Sequence, residues 1–477
     1  MNIKDIINKQ REYFSSGKTM DISFRLEMLT RLKKVIKSHE DEVFEALRKD
    51  LNKAEAETMT TELGLCYEEI DYFKKHLKTL AKAKRVRTPI YSWPAKSYIY
   101  KEPYGVVLIV GPFNYPFQLN ISPLIGAIAA GNCVLIKPSK SSKATTLCLM
   151  KIIKEAYPEE YVRVIEPFGG RAEMTEILKE RYDYIFFTGS VAVGKVIMEA
   201  AAKHLTPVTL ELGGKSPALI DKNCDLKMAA KRIAWGKFIN AGQTCIAPDY
   251  VLLPPEHKEK FIGYLRGFVE EFYGRDPMIS PDYPKIIDEK QFDTLVGYLS
   301  QGKIAMGGSF NREKLYIEPT VLIDIAVEPS EFMTGVAITL ENIRDISMAP
   351  VMTEEIFGPI LPIIEYNTLE EAIAFINSRE KPLALYFFTK NNRNGERVLR
   401  ETSSGGGCIN DTIMHVASNK LPFGGVGNSG MGNYHGEYSF KTITHERGII
   451  KQSNFFDLKL KYPPYKDKIK LYKKIFK

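Results

Sequence analysis

From Val106 to Phe187 the chain repeats one pattern: a short apolar run, a helical stretch, then another apolar run. Val106-Val-Leu-Ile-Val110, Val134-Leu-Ile-Lys137, Val162-Arg-Val-Ile165 and Tyr184-Ile-Phe-Phe187 are the predicted strands. A run apolar at nearly every position is buried on both faces. In alternation with helices, that calls for a parallel sheet covered on each side, not an antiparallel sandwich with one wet face. A second alternating series follows Glu211, with strands predicted at Tyr250-Val-Leu-Leu253 and Ile360-Leu-Pro-Ile-Ile364. Ahead of the first series, residues 20–85 read as helical. There Phe24, Leu26, Leu29, Leu32, Val35 and Ile36 lie near one face, and a second charged amphipathic stretch runs through Leu80. Tyr98–Lys101, between Pro94 and Pro103, reads as extended, and a glycine-rich region opens at Gly405. With 477 residues there is material for two or three domains. The expected fold class is α/β, with two doubly wound domains joined by extended elements.

A composition of 44% hydrophobic and 26% charged residues is that of an ordinary globular protein. No stretch approaches the roughly 18 apolar residues that span a bilayer. The first residues, Met1 to Lys9, carry charges on both sides of a very short apolar run, unlike a secretory signal. The six cysteines form no CxxC pair and no metal-ligand spacing, so no metal is expected and the cytoplasm is the expected compartment. The formal charge of +8 is concentrated at one end. Lys459 to Lys477 hold eight lysines and one aspartate, 8 − 1 = +7, which leaves the rest nearly neutral and argues against a nucleic-acid surface. In that tail Ile469, Tyr472 and Phe476 recur at helical spacing, as do Leu471 and Ile475. Such a helix suits peripheral contact with an anionic membrane; a helix packed on its own protein with solvated lysines is the other reading.

The chemistry concentrates in two segments, Leu210-Glu-Leu-Gly-Gly-Lys215 and Asn240-Ala-Gly-Gln-Thr-Cys245. A reactive thiol needs a route to thiolate, an open approach and a nearby acid/base group. Cys245 behind a glycine-bearing, uncharged turn and Glu211 supply a candidate nucleophile and carboxylate. A buried structural thiol is the alternative for an arbitrary cysteine, and Cys66, Cys133, Cys148, Cys224 and Cys408 are read that way. Thr188-Gly-Ser-Val-Ala-Val-Gly194 follows a strand and opens a helix. Gly189 and Gly194 let backbone approach a phosphate at the free N–H groups of a helix start, although the spacing is GxxxxG and not GxGxxG.

Seven motifs in one order resemble the aldehyde dehydrogenases. They are Gly111-Pro-Phe-Asn-Tyr-Pro116, Ile136-Lys-Pro-Ser139, Phe187-Thr-Gly-Ser190, Leu210–Lys215, Gly242-Gln-Thr-Cys245, Glu355-Ile-Phe-Gly-Pro359 and Pro422-Phe-Gly-Gly-Val-Gly-Asn-Ser-Gly430. Trp235-Gly-Lys-Phe238 and Gly430-Met-Gly-Asn-Tyr-His435 resemble the class 3 branch. The resemblance implies NAD(P)-dependent oxidation of medium- or long-chain aliphatic, or aromatic, aldehydes to acids. It runs through a thiohemiacetal and a thioester on Cys245, with water releasing the product. The Asn114 amide and the Cys245 N–H would hold the oxyanion, and Glu211 would be the general base, with Glu355 in reserve. Glu355 and Phe357 would hold the nicotinamide ribose and ring, Gly189, Ser190 and Gly194 would form the nucleotide turn, and Lys137 would touch the adenosine ribose. Tyr115 would line the aldehyde tunnel, a core or turn aromatic being nearly as good a reading.

Lys140 departs from the pattern. Many NAD-preferring relatives carry glutamate there, which binds the ribose hydroxyl and repels a 2′-phosphate. A cation reverses that Coulomb term, worth roughly a few kcal/mol at short range before screening, so NADP as well as NAD is the expected cofactor. The resemblance also implies a homodimer and an organisation of cofactor domain (1–85 and 104–210), bridging elements (86–103 and 413–452), catalytic domain (211–412) and basic tail (453–477).

Three rival readings remain at this stage. A CoA-acylating dehydrogenase would not need the retained Glu211. A non-catalytic protein on the same fold would not need Asn114, Glu211 and Cys245 together. A cysteine hydrolase lacks a histidine beside Gly242–Cys245 and leaves the cofactor turn unexplained.

Overall fold

The computed structural model describes residues 3–166, 169–325, 349–466 and 468–475. Its first large sheet has six strands, in the order Gly430–Met431, Val208–Leu212, Tyr184–Gly189, Val106–Val110, Cys133–Lys137 and Val162–Val164. All pair in parallel except the short edge strand Gly430–Met431. The central strand Val106–Val110 is buried at all five positions, as its unbroken apolar run requires. Helices cover both faces. Every residue of Gln118–Ala130 is buried, and apart from Gln118, Asn120 and Ser122 in its first half the helix is apolar all round, as suits a helix inside a large domain. The amphipathic segments Ile22–Ser38, Glu40–Leu51 and Gly64–Leu80 pack around the same core.

The chain leaves the strand Val106–Val110 toward one side of the sheet and returns on the other with Tyr184–Gly189. Ligands of open α/β sheets bind beyond the carboxyl ends of the strands at this reversal. The turn after Val110 carries Asn114, the turn after Gly189 carries Ser190, and Glu211 is the penultimate residue of the neighbouring strand.

The second sheet has seven strands: Lys303–Met306, Thr320–Ile323, Ile360–Glu365, Tyr250–Leu253, Pro217–Ile220, Ala384–Phe388 and Gly406–Ile409. Only the first pair is antiparallel. This sheet presents the amino ends of its strands to the site. Gly213–Lys215 precede Pro217, Cys245 precedes Tyr250, and Glu355–Phe357 precede Ile360. A third, antiparallel sheet joins Lys84–Val86, Lys96–Pro103 and Thr444–Lys451.

The tail forms the helix Ile469–Ile475. Ile469 and Leu471 point to solvent, and the Trp93 and Phe456 rings meet at 5.1 Å. Phe476 lies outside the described residues. Among the described residues no helix is long and apolar enough to cross a membrane, and no cluster of His, Cys, Asp and Glu could hold a metal ion.

Candidate active site

A cavity of about 960 Å³ opens between the two large sheets. Asn114, Gly189, Ser190, Glu211, Cys245, Glu355 and Phe357 all line it, so residues spread over 244 positions of chain converge on one space. Gly194, Lys137, Lys140 and Tyr115 lie outside that lining.

Cys245 is half-buried at the end of a turn with unusual backbone. Asn240 and Ala241 both have left-handed φ values, 51° and 50°, before Gly242 at 73°. Two consecutive non-glycine residues in that region persist only where surrounding contacts over-determine them. Those contacts are present. Asn240 Nδ2 donates to the Asn114 carbonyl at 2.8 Å and to the Gln243 carbonyl at 3.1 Å, and Asn114 Nδ2 donates to Gln243 O at 3.0 Å. Gln243 Nε2 donates to Asn240 O and to Lys285 O, while its Oε1 accepts from the Ile287 N–H. Tyr115 Oη and Thr244 Oγ1 share a hydrogen bond of 2.7 Å, with the Lys53 ammonium 4.2 Å from the centre of the tyrosine ring. Tyr115 therefore supports the cysteine turn from behind.

Burial pushes the Cys245 thiol up, and the charges of Glu355 and Glu211 add to this; its own N–H and that of Ile246 pull the other way. Among the described residues, buried Asn114 has no partner for Oδ1, and both buried carboxylate oxygens of Glu211 have none. Desolvation raises the Glu211 carboxyl well above the usual carboxylate range. Unmatched polar atoms of this kind are costly in a folded core and are concentrated where function requires them.

Glu355 is held differently. Its carboxylate lies against Gly213, where a Cβ would come within 1.7 Å of Oε2, so only glycine fits. Burial pushes it up to about 8, with Asp249 adding; the Gly214 N–H, Lys215 and Lys237 oppose. Behind it, Lys215 Nζ bonds Asp249 at 2.6 Å and the carbonyls of Val351 and Glu354, and Lys237 Nζ lies 3.6 Å from Asp249. Phe357 has φ 50°, and its ring meets that of Phe113 edge-on at 5.7 Å, both lining the cavity. Lys215 and Lys237 stood inside motifs already singled out. Phe113 also stood inside a quoted motif, Gly111–Pro116, without a role of its own, and Asp249 had no sequence signal beyond its neighbourhood.

The nucleotide turn has the shape a phosphate needs. Ser190 caps the helix Val191–Ala202, its side chain accepting from the Val193 N–H, and a Cβ at Gly194 would come within 2.7 Å of Leu212. Gly194 thus packs helix on strand, while Gly189 and Ser190 face the cavity. Beside them Thr188 Oγ1 and Glu355 Oε1 are buried with no partner among the described residues, as fits polar atoms that a ribose or phosphate would meet. Lys140 is exposed and Lys137 half-buried. The Lys137 ammonium is lowered first by burial, opposed by Glu173 and reinforced by Lys140.

Comparison with known proteins agrees with this geometry. The Aldehyde dehydrogenase family profile matches residues 1–332 and 341–449. The 4,4'-diaponeurosporen-aldehyde dehydrogenase of Staphylococcus aureus (strain NCTC 8325 / PS 47) is 47% identical over 98% of this chain and 97% of its own. The Canis lupus familiaris aldehyde dehydrogenase called dimeric NADP-preferring is 46% identical over 97% and 98%. A solved substrate-bound state of Staphylococcus aureus AldH superposes with a TM-score of 0.94 at 46% identity, covering all of both chains. The chain belongs to the aldehyde dehydrogenase family, in its class 3 branch. It is an oxidoreductase that acts on aldehydes with NAD or NADP.

Proposed function

We propose that the chain oxidises long-chain apolar or aromatic aldehydes by covalent catalysis at Cys245. The observation that carries this reading is the convergence of Cys245, Asn114, Glu211 and Glu355 on one cavity with the Gly189–Ser190 turn. The Cys245 thiolate attacks the aldehyde carbon, and the new oxyanion takes hydrogen bonds from the Asn114 amide and the Cys245 N–H. Asn114 Nδ2 is already tethered to Gln243 O, which fixes the amide plane before substrate arrives. Ser190 and the helix start behind it would hold a dinucleotide pyrophosphate, Glu355 the nicotinamide ribose, and Phe357 with Phe113 the ring. Bound there, NAD(P)+ supplies the hydride acceptor.

Glu211 is the general base for thioester hydrolysis. Both its oxygens are free of partners among the described residues, and the burial that raises its carboxyl makes the carboxylate a stronger acceptor for a water proton. Glu355, tied to Gly214 and the lysine–Asp249 network, suits holding the ribose better than moving to a water. The cysteine turn itself is supported by Tyr115 through Thr244. The name of the Staphylococcus relative supports the long apolar end of the substrate range. The name of the canine one supports a homodimer and use of NADP, for which Lys137 and Lys140 supply the positive charge beside the adenosine ribose.

The tail fits peripheral contact with an anionic membrane. Phe455 is fully exposed, Ile469 and Leu471 are partly exposed, and lysines flank them. Co-sedimentation with anionic vesicles tests it. The full chain should pellet more than a chain ending at Gln452, and equal pelleting would contradict the contact.

Reduced-cofactor formation with short, long and aromatic aldehydes, each with NAD and with NADP, tests the activity. Turnover highest with long or aromatic aldehydes is expected; none from folded protein with any pair would overturn the reading.

A further inference from the structure

We propose that Glu57 is a positioning residue for the nucleophile turn, its carboxylate reaching across from the first domain to fix the backbone of Asn240. The inference rests on Cys245 being the nucleophile. Glu57 stands on the short helix Glu55–Thr58, 183 positions before Asn240 in the chain, and accepts the Asn240 N–H at 3.1 Å. Asn240 is the first of the two left-handed residues that aim Gln243-Thr244-Cys245 into the cavity. Asn240, Asn114 and Gln243 are tied to one another, and Thr244 to Tyr115, by neutral hydrogen bonds, so among the described residues Glu57 brings the one carboxylate that bonds the backbone of the two left-handed residues. A bond to a charged acceptor is roughly twice as strong as a neutral one.

The surroundings suit a half-buried carboxylate whose charge is set by its neighbours. Lys53 lies close enough to oppose its desolvation and is itself bonded to Glu62 at 2.7 Å, with both side chains fully buried. Glu62 and Asp282 face Glu57 with like charge, and the phenols of Tyr115 and Tyr273 complete the enclosure. Burial pushes the Glu57 carboxyl up to about 7, so the grip on Asn240 strengthens as the pH rises through neutrality. The helix continues from Glu57 into a π-helical turn, Met59–Leu63, which places Glu62 beneath the Phe117 and Gln118 N–H groups at 3.0 Å. One wide turn thereby sends Glu57 to the cysteine loop and Glu62 to the segment that carries Asn114.

The test is the rate at which Cys245 is alkylated by iodoacetamide, located by peptide mass, together with kcat and KM for a long-chain aldehyde. Wild type, Glu57→Gln and Glu57→Ala are compared on both sides of neutral pH. Glu57→Ala should lower alkylation and kcat about tenfold with less change in KM, and Glu57→Gln, which keeps an oxygen acceptor, should stay within about threefold. The ratio of wild-type to Glu57→Gln alkylation should rise with pH through neutrality. Wild-type alkylation and kcat in Glu57→Ala, even with a lowered melting temperature, would overturn the proposal. If Glu57→Ala does not fold, a pH-independent ratio for Glu57→Gln overturns it as well. Alkylation does not depend on turnover, so a failure of the nucleophile assignment, seen as activity in Cys245→Ala, is read separately.

Discussion

Asn114 Nδ2 donates to the Gln243 carbonyl at 3.0 Å while its own Oδ1 is buried without a partner among the described residues. One residue from the first sheet's crevice and one from the cysteine turn are thereby locked at a fixed spacing. The amide keeps a second N–H to give to an oxyanion beside Cys245. Replacing Asn114 by Ala should lower kcat by about 10²–10³-fold, the usual cost of one oxyanion donor. Alkylation of Cys245 should change far less, and a matching loss in both would mean that Asn114 acts by holding the turn.

Glu211 and Glu355 should separate in pre-steady-state kinetics. With Glu211→Gln, a stoichiometric burst of reduced cofactor should be followed by turnover slowed about 10²-fold or more, because acylation proceeds and hydrolysis does not. With Glu355→Gln, the burst rate and the KM for cofactor should suffer instead. The reverse pattern would make Glu355 the base.

The same carboxyl has a thermodynamic signature. In the folded protein Glu355 sits at about 8, above the ordinary value of 4.5, so the folded state binds the proton more tightly than the unfolded chain. Its contribution to stability is full below pH 4.5 and is lost as the pH rises through 8. Between those limits the cofactor-free melting temperature of wild type should fall relative to that of Glu355→Gln. Parallel melting curves across the window would contradict the burial of this group.

Much of the site was legible because its motifs are local. Gly242–Cys245 and Leu210–Lys215 each bring backbone and side chain together within six residues, and the strands announced themselves as unbroken apolar runs. The helical reading of residues 20–85 holds in the segments Ile22–Ser38, Glu40–Leu51 and Gly64–Leu80, where amphipathic spacing follows the core, and fails at its end, where Lys84–Val86 pairs as a strand with Lys96–Pro103. What could not be read were contacts between distant segments. Asp249 bonds Lys215, and Glu57 bonds Asn240, yet no periodicity pairs those positions. The edge strand Gly430–Met431, which returns to the first sheet beside Glu211, is too short for its pattern to announce it. In the tail, Ile469 with Tyr472, and Leu471 with Ile475, keep helical spacing whether they face protein or solvent, and only the fold shows Ile469 and Leu471 exposed.

Lys140 offers a test confined to one charge. Lys140→Glu should raise the KM for NADP about tenfold while leaving that for NAD within about threefold, since only the 2′-phosphate meets the reversed Coulomb term. The effect should shrink at high salt because the side chain is exposed. An unchanged NADP to NAD ratio would show that Lys140 points to solvent.

The central claim, covalent oxidation at Cys245, is tested most directly by reduced-cofactor formation from a long-chain aldehyde in wild type and Cys245→Ala, each confirmed folded. Turnover in the wild type that is abolished in the variant is the expected result. Turnover that survives in Cys245→Ala would contradict the mechanism.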